Sequence, residues 1–421
     1  MFENVLYQSA PDLLSEDIAN DRLPGSILFS GPASSGKLTC ALELARVMAC
    51  RETPRGDWNC RCESCLMHKA LLSPSLLIVG SGNRTLEIAA ARNTLLTQNA
   101  RNTSHVDAAR YLYLRAVRKL TVRFSPILWQ DDDKLSKFSP LLQSISEALE
   151  EISPERVLPD GDELEKILDS VGKDCEKLEG SYLYQSLPVL QIRNFSYWAH
   201  LSSNSGKKVL IIEHADKMAD SSRNALLKIL EEPPEDTMFI LTTDRRGAML
   251  PTILSRVRTY TFFNRNVKSQ QEVIKRVFHY DPITYGGPMP SNINTFLQSH
   301  LPVSPENIKV NAQLFFKSVA EGHVPNIPAI MSVCGNFKPG ELFKIFVEEL
   351  MECQKPLLKS AAGVAASAEI NDLLRESCNN VNVYNQNVMA CLEELTRSIM
   401  QVNRTHGGIL KEIAQSSPSE E

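Results

Sequence analysis

Apolar and polar residues alternate along the chain in blocks that predict strands and helices in turn. Three short apolar runs predict buried strands: SILFS at 26–30, VLII within KKVLIIEHADKM at 207–218, and MFILTTD at 238–244. Apolar residues at helical spacing predict helices between and around them, at 11–20, at 38–50, in the first part of 187–206 and at 218–234. Strands that alternate with helices favour a parallel sheet covered by helices on both faces.

The stretch from about residue 83 to 187 has a different pattern, which predicts a mostly helical insertion. DELEKILDSVGKDCEKL at 162–178 places its apolar residues on one helical face: Leu164, Ile167, Leu168, Val171, Cys175 and Leu178. RYLYLRAVRKLTVRF at 110–124 mixes basic and aromatic residues. This second stretch either contacts nucleic acid or forms a solvated amphipathic helix, and the pattern favours the helix.

Beyond Phe263 the pattern predicts helices and no further strand. The strongest helical segments are 340–361 and 382–404. The last residues, 413–421, are rich in serine and glutamate and predict a flexible tail.

Composition narrows the class of protein. A chain of 421 residues has room for about three domains of ordinary size. Hydrophobic content of 43% and charged content of 23% are typical of a globular protein, and no apolar run approaches the roughly 20 residues that cross a bilayer. With no secretory signal visible, we expect a cytoplasmic protein with reduced cysteines. The net charge of −5 argues against extensive coating of nucleic acid.

A candidate phosphate loop, GPASSGK at 31–37, lies between a predicted strand and a predicted helix. Gly31 and Gly36 let backbone N–H groups point at a phosphate, and Lys37 would reach the terminal phosphates. The next residue should be Ser or Thr to bind Mg²⁺, but it is Leu38, and Thr39 lies about 100° further round the helix. The alternative is a glycine turn kept for packing, and present-day nucleotide binding stays open.

The strand at 209–212 ends in Glu213-His214, where a hydrolase would carry Asp-Glu. Glu213 can still hold a cation, but His214 is a poor replacement for the carboxylate that activates water. Thr242, in the strand at 238–244, completes the candidate nucleotide site. Together with Leu38, these residues predict a protein that does not hydrolyse ATP on its own. The alternative, a buried strand of an unrelated fold, does not explain the phosphate loop.

Four cysteines within sixteen residues predict a metal site: Cys50, Cys60, Cys62 and Cys65. Four thiolates suit tetrahedral Zn²⁺ and leave no open position, which favours a structural site over a catalytic one. Because Cys60 and Cys62 are separated by only one residue, His68 is an alternative fourth ligand. Four unrelated buried cysteines are the remaining alternative.

The block NALLKILEEPPEDTMFILTTD followed by LPTILSRV, at 224–257, resembles the bacterial DNA polymerase III clamp loader, a branch of the AAA+ ATPases. The resemblance covers about 1–80 and 188–260, extends over 261–412 only in helical character, and leaves out 83–187. It implies a parallel α/β AAA+ (P-loop) domain at 1–260, with a zinc module at about 50–68 and a helical insertion at about 83–187. A small helical lid at 261–325 and an all-α collar at 326–412 would follow.

Within that family the eroded signatures resemble the non-hydrolysing delta-prime branch, which acts as a stator beside ATP-hydrolysing motor subunits. The resemblance implies a component of the polymerase III holoenzyme whose partners are motor and clamp-opening subunits and, indirectly, the sliding clamp and primer-template DNA. It also implies that Arg256, in Ser255-Arg256-Val257, reaches the ATP site of a neighbouring subunit; otherwise Arg256 forms a surface salt bridge. The alternatives are a motor subunit and a zinc-dependent nucleic-acid-binding protein with a vestigial phosphate loop.

Overall fold

A computed structural model describes residues 1–202, 206–285, 287–382 and 386–411. The predicted tail at 413–421 lies outside the described residues. The chain divides into two compact units, with the boundary between Leu297 and Gln298. No helix in the described ranges is long and apolar enough to span a membrane.

The first unit contains a five-stranded parallel sheet, which confirms the predicted parallel sheet. Its strands are β1 (Ser26–Ser30), β2 (Leu76–Gly80), β3 (Lys208–Glu213), β4 (Thr237–Thr243) and β5 (Arg258–Thr261), in the order β2-β3-β4-β1-β5. This topology fits the α/β AAA+ fold. The apolar runs predicted β1, β3 and β4 but missed β2 and β5. Only one of the four residues of β5, Tyr260, is buried, because this strand lies at the edge of the sheet.

Helices flank the strands and make up the rest of the first unit. They are α1 (Ala10–Ala19), α2 (Lys37–Ala49), α3 (Glu63–Lys69), α4 (Thr85–Ala100), α5 (Val106–Thr121), α6 (Leu135–Glu151), α7 (Gly161–Ser181), α8 (Val189–His200), α9 (Asp220–Glu231), α10 (Pro251–Leu254), α11 (Val267–Phe278), α12 (Pro282–Tyr285) and α13 (Ile293–Gln298). A 3₁₀ turn at Val122–Phe124 continues α5. The predicted end of α9 before Pro233 is confirmed.

The sheet has an apolar core on each face. Successive side chains of a strand point to opposite faces, so Leu210 and Ile212 pack with the helices of the insertion, whereas Val209 and Ile211 pack with α1 and α2. Glu213, which ends β3, follows Ile211 in this alternation. Because β1, β3 and β4 are parallel, the loops that follow their carboxyl ends meet at one edge of the sheet, beside α2.

The residues from 83 to 187 form α4 to α7, in agreement with the helical prediction, and the predicted apolar face of α7 is buried. The helix favoured at 110–124 is present as α5 and the 3₁₀ turn after it, but the expectation that its basic side chains are solvated was wrong. Arg110 donates to the backbone carbonyls of Ile152 and Arg156, and Arg118 donates to that of Ala70. The basic side chains of α5 thus hold neighbouring segments together instead of facing solvent.

Residues 261–297 belong to the first unit, because Ile274, Phe278 and Phe296 pack against Ala90 of α4. The observed division at 297 coincides with neither of the predicted boundaries at 260 and 325. The lid and the collar therefore stay predictions.

Within its described residues the second unit contains helices and turns but no strand. It contains α14 (Pro305–Glu321), α15 (Ile327–Val333), α16 (Glu341–Glu352), α17 (Ala361–Asn382) and α18 (Val388–Thr405). The single helix predicted at 340–361 ends at Glu352, and a 3₁₀ turn follows at Lys355–Lys359. Pro356 explains this end, because proline removes an N–H donor and restricts the residue before it.

Candidate functional site

The phosphate loop connects β1 to α2, as the spacing predicts, but its lysine already has oxygen partners. Lys37 is buried, and its Nζ lies 2.7 Å from the carbonyl oxygen of Gly31 and 2.5 Å from that of Pro32. A third partner is Asp244, whose Oδ1 lies 2.8 Å away at the end of β4. A phosphate would have to displace at least one of these oxygens to reach the ammonium group.

Backbone geometry requires glycine at both loop positions, whether or not the loop binds a phosphate. A Cβ on Gly31 would collide with the carbonyl of Phe262, and Gly36 has a φ of +96°. Arg265 lies across the loop, where it donates to the carbonyl oxygens of Leu6 and Ser34 at 2.9 Å each. The glycine pattern alone therefore does not show that the loop binds phosphate.

Glu213, the carboxylate at the end of β3, is buried and held by two arginines. Arg84 Nη2 lies 2.5 Å from Oε1 and 2.6 Å from Oε2, and Arg123 Nη2 also donates to Oε2. Burial would raise the pKa of Glu213, but Arg84 and Arg123 outweigh it and hold that pKa well below its ordinary value. Glu213 is therefore a carboxylate whose two oxygens both have partners.

The two arginines are themselves fixed by other groups. Arg123 donates to the carbonyl oxygen of Gly82 at 2.5 Å, and its own carbonyl accepts from the indole N–H of Trp129 at 2.8 Å. Arg84 precedes α4, and its backbone N–H donates to Glu179 at 2.6 Å. A further carboxylate near Arg84, Glu87, forms an ion pair with Lys119. The network is thus continuous, with Glu213, Arg123 and Glu179 buried and Arg84, Glu87 and Lys119 partly buried.

The other predicted nucleotide-site residues lie between this network and the loop. The Nδ1 atom of His214 lies 3.5 Å from Asp244 Oδ2, and its backbone N–H donates to the hydroxyl of Thr242 at 3.3 Å. Burial, and then the charge of Lys217, lower the pKa of His214, so the imidazole is neutral near neutral pH. Leu38 lies in the first turn of α2 and packs against the apolar core on that face of the sheet. Thr39 is the next residue of the same helix.

The four predicted cysteines come together between α2 and α3. Their sulfur atoms all lie within 4.8 Å of one another, and the Cys50 and Cys60 sulfurs are 3.8 Å apart. A tetrahedral zinc site with Zn–S bonds of about 2.3 Å has sulfurs separated by about 3.8 Å. The donor set and its spacing therefore fit a zinc ion.

Hydrogen-bond donors favour the ionised form of Cys62, whereas burial, the largest influence on Cys65, raises the pKa of that thiol. Cys62 caps the N-terminus of α3, where its sulfur accepts from the backbone N–H of Cys65 at 3.5 Å. Burial opposes ionisation of Cys62, but this N–H and the neighbouring thiols lower its pKa to about 7. Arg46 donates to the Cys65 sulfur at 3.2 Å and forms an ion pair with Glu43 at 2.6 Å, which ties the cluster to α2.

His68, the alternative fourth ligand, is not a member of this cluster of four. It is buried, and neither ring nitrogen has a hydrogen-bond partner among the described residues. Burial, followed by the charge of Arg46, lowers the pKa of His68 to about 4. Its ring is therefore a neutral group beside the cluster.

Arg256 lies just after α10 and is partly exposed. Its Nη2 lies 2.6 Å from Glu231 Oε1, and its Nη1 donates to the carbonyl of Thr252 at 2.8 Å. The side chain is 31% exposed, and that of Glu231 is 50% exposed. In the single chain, Arg256 therefore forms a surface ion pair.

The sequence patterns did not predict Arg84 and Arg123 as site residues. Arg123 is the last basic residue of the stretch at 110–124, and Arg84 follows a glycine-containing turn after β2. The only signal in the sequence was an unusual density of basic residues in a segment predicted to be helical. Nothing in that signal pointed to Glu213.

A protein-family model described as "DNA polymerase III, delta subunit" matches residues 7–125 and 161–266, which is more than half of the chain. The match includes most of the stretch at 83–187, so the prediction that this whole stretch falls outside the family was wrong. Only 126–160, which contains α6, lies between the matched parts.

Three curated relatives match shorter segments. The DNA polymerase III delta' subunit of Bacillus subtilis is 50% identical over 58 residues, 14% of this chain and 18% of that protein. The delta' subunit of Haemophilus influenzae is 32% identical over 92 residues, 22% of this chain and 28% of that protein. The gamma/tau subunit of Mycobacterium bovis is 33% identical over 87 residues, 21% of this chain and 15% of that protein. The chain thus spans less than a third of each relative's length in these matches.

Among solved structures, a DNA polymerase III gamma subunit-related protein from Thermotoga maritima aligns with 57% of this chain and 90% of its own. The TM-score is 0.25 and the sequence identity is 16%. A score this low supports no conclusion about fold or function.

Proposed function

The chain belongs to the DNA polymerase III delta subunit family, and on that premise we propose that it is a delta-prime-type subunit of the clamp loader that does not hydrolyse ATP. In this role it is a stator in a ring with motor and clamp-opening subunits. The ring opens the sliding clamp and places it on primed DNA. The motor subunits supply the ATP hydrolysis, and this chain supplies a fixed interface to one of them.

The observation that carries this proposal is the pairing of Glu213 with two arginines. Hydrolysis needs a carboxylate that holds Mg²⁺ and a second one that positions water. Mg²⁺ requires oxygen ligands at about 2.0–2.1 Å in near-octahedral geometry, but Arg84 Nη2 lies within 2.6 Å of both Glu213 oxygens. These residues do not fit Mg²⁺, and the following residue is the neutral His214.

The relatives support the complex but do not separate its subunits, because both delta' and gamma/tau proteins match. A motor subunit would have to release Glu213 from Arg84 and Arg123, and to supply a hydroxyl where Leu38 stands. The site therefore favours the non-hydrolysing member.

We assign Arg256 as an arginine that acts on the ATP of the neighbouring motor subunit. A guanidinium stabilises the charge that develops on the transferring phosphoryl group more than it stabilises bound ATP. Arg256 would have to leave Glu231 for this role, and an exposed pair of this kind contributes only about 0–1 kcal/mol. The intramolecular ion pair is therefore no obstacle to contact with a neighbour.

The cysteine cluster would hold one structural Zn²⁺ through Cys50, Cys60, Cys62 and Cys65. Four protein ligands leave no position for a substrate, so the ion would stabilise the segment between α2 and α3 without taking part in catalysis. Bound zinc would add its binding free energy to the stability of this part of the fold.

The first test is ATP turnover by the purified chain, with and without primed DNA. We expect no turnover above background, whatever the affinity for nucleotide. DNA-stimulated turnover by this chain alone would favour the motor alternative.

The second test is a clamp loader reconstituted with wild-type or Arg256→Ala protein at equal occupancy. An arginine supplied in trans contributes roughly 10³ to 10⁵ in rate at one site, so clamp loading should fall sharply and total ATP turnover only in part. Arg256→Lys should restore little, because a point charge does not reproduce the planar guanidinium.

Arg156→Ala is the matched control, because it removes another exposed arginine–glutamate pair. Glu231→Gln should leave loading at the wild-type rate, since it removes only the partner of Arg256 in the single chain. Unchanged loading with Arg256→Ala would leave Arg256 as an ordinary surface residue.

A further inference from the structure

At the end of β3, the Glu213 carboxylate is paired with two cationic side chains of the same chain. Arg84 Nη2 is nearly equidistant from the two Glu213 oxygens, at 2.5 and 2.6 Å, as an ion bound by both oxygens would be. Arg123 adds a second positive charge on Oε2. Glu213 thus faces two guanidinium charges, as a carboxylate bound to a metal ion faces the charge of that ion, while Arg84 also pairs with Glu87.

This arrangement is built into the fold and does not depend on mobile surface groups. The Arg123 side chain is only 1% exposed and that of Arg84 is 13% exposed. A Cβ on Gly82 would lie 2.6 Å from Arg123 Nη2, so the glycine leaves the space that the guanidinium occupies. Both arginines are therefore placed before any ligand arrives.

The groups that would receive a phosphate lie next to this charge. His214 follows Glu213 directly and faces Asp244, and Asp244 in turn faces Lys37 of the phosphate loop. The helix α2 is thirteen residues long, and its N-terminus, which follows the loop, favours an anion. An incoming phosphate can replace Asp244 on Lys37 without leaving the lysine unpaired.

We infer that Arg84, supported by Arg123, replaces the divalent ion at this site, so that the phosphate loop binds the polyphosphate chain of a nucleotide without a metal. The inference deepens the proposed function, since it concerns the same non-hydrolysing site. It changes the expected ligand from a nucleotide–Mg²⁺ complex to the free, more negatively charged polyphosphate.

The direct test uses the full chain and a fluorescent methylanthraniloyl derivative of ATP, titrated once in excess EDTA and once in excess Mg²⁺. We expect binding in EDTA that is at least as tight as in Mg²⁺. Unlabelled tripolyphosphate should compete, which would show that the phosphates and not the base are recognised. Lys37→Ala should weaken binding by about tenfold or more, whereas Lys228→Ala, an exposed lysine on α9, should leave it unchanged.

Variants of the arginine distinguish a metal substitute from a merely structural residue. Arg84→Met should weaken binding in EDTA by about tenfold. Mg²⁺ should restore binding, because the Glu213 carboxylate is then no longer occupied by Arg84 and can bind the ion. The double variant Arg84→Met with Glu213→Gln should be weak in both conditions. Arg92→Met is the matched control, because it removes an arginine of α4 that pairs with Asp169 of α7. Circular dichroism checks that each variant folds.

Binding by the wild-type protein that disappears in EDTA would overturn the inference, and so would the absence of binding in both conditions. Either result is obtained on wild-type protein, so it does not depend on whether a variant folds. ATP turnover measured on the same samples is a separate readout. Turnover would refute the non-hydrolysing role, whereas metal-dependent binding without turnover would refute only the arginine substitution.

Discussion

The first unit contains two candidate sites that resemble ligand sites equally well in sequence and differ in structure. In the cysteine cluster, four sulfur atoms converge within 4.8 Å, which fits the spacing of a metal site. In the phosphate site, Lys37 and Glu213 already have close partners within the chain. The comparison shows that the presence of the right residues and their availability to a ligand are separate properties.

The difference has a simple physical origin. A buried charge without a partner is costly, so a buried carboxylate without a metal ion is stable only when other cationic groups pair with it. Arg84 and Arg123 are such groups for Glu213. Thiols form only weak hydrogen bonds with one another, so four converging sulfurs are best satisfied by a metal ion.

The largest effect is expected from breaking the cysteine site. Cys62→Ser combined with Cys65→Ser should remove about one zinc ion per chain and lower the melting temperature strongly, since structural zinc contributes on the order of 10 kcal/mol in small zinc modules. Metal analysis and thermal unfolding measure both changes. Cys378→Ser, a cysteine of the second unit, is the control. Zinc that persists in the double variant would show that the ligand set is wrong.

The next largest effect concerns the charges at the phosphate site. Arg123→Met should lower the free energy of unfolding by about 3–5 kcal/mol, because it leaves buried Glu213 with less compensation. Adding Glu213→Gln should recover part of that loss. Denaturant unfolding of the two single variants and the double variant measures the coupling, and a loss in the double variant equal to the sum of the single losses would show that the two side chains do not interact.

The same pair has a pH signature. The pKa of Glu213 is lowered in the folded chain, so its contribution to stability is present above the ordinary carboxyl value of about 4.5 and is lost as the pH falls below it. The double variant Arg123→Met with Glu213→Gln should show a weaker acid dependence than the wild type. Equal acid dependence would show that Glu213 is not the group responsible.

A smaller effect is expected from the residue that links the cysteine cluster to α2. Arg46→Met combined with Glu43→Gln should weaken zinc affinity by about 10- to 100-fold, because the Cys65 sulfur loses a charged donor. Competition with a chromogenic chelator measures the affinity. Arg55→Met is the matched control, since Arg55 donates only to carbonyl oxygens at the end of α2. Equal affinities in both variants would exclude a role for Arg46 at the metal.

The smallest effect is expected from restoring the lost catalytic residues. Leu38→Thr combined with His214→Glu returns a hydroxyl and a carboxylate but leaves Glu213 paired with Arg84 and Arg123. We therefore expect no ATP turnover above background, measured by phosphate release. Turnover in this variant would show that the arginines leave Glu213 free to hold Mg²⁺.

Local patterns predicted much of the fold of the first unit. The apolar runs located β1, β3 and β4, and the helical face of α7 was assigned correctly. The edge strand β5 was missed because three of its four residues are polar or charged, and local polarity does not reveal strand pairing. The basic residues of α5 were assigned to solvent for a similar reason, since their carbonyl partners lie in other segments.

The sequence by itself determined the short-range features: the loop at 31–37, the loss of the hydroxyl at Leu38 and the four cysteines within sixteen residues. Spacing decides these features, because the residues of each one lie within a short segment of the chain. Only the tertiary structure decided the state of Glu213, whose partners Arg84 and Arg123 lie 129 and 90 residues away along the chain. Contacts between residues so far apart in the sequence depend on how the helices of the insertion pack against the sheet. No local pattern specifies that packing.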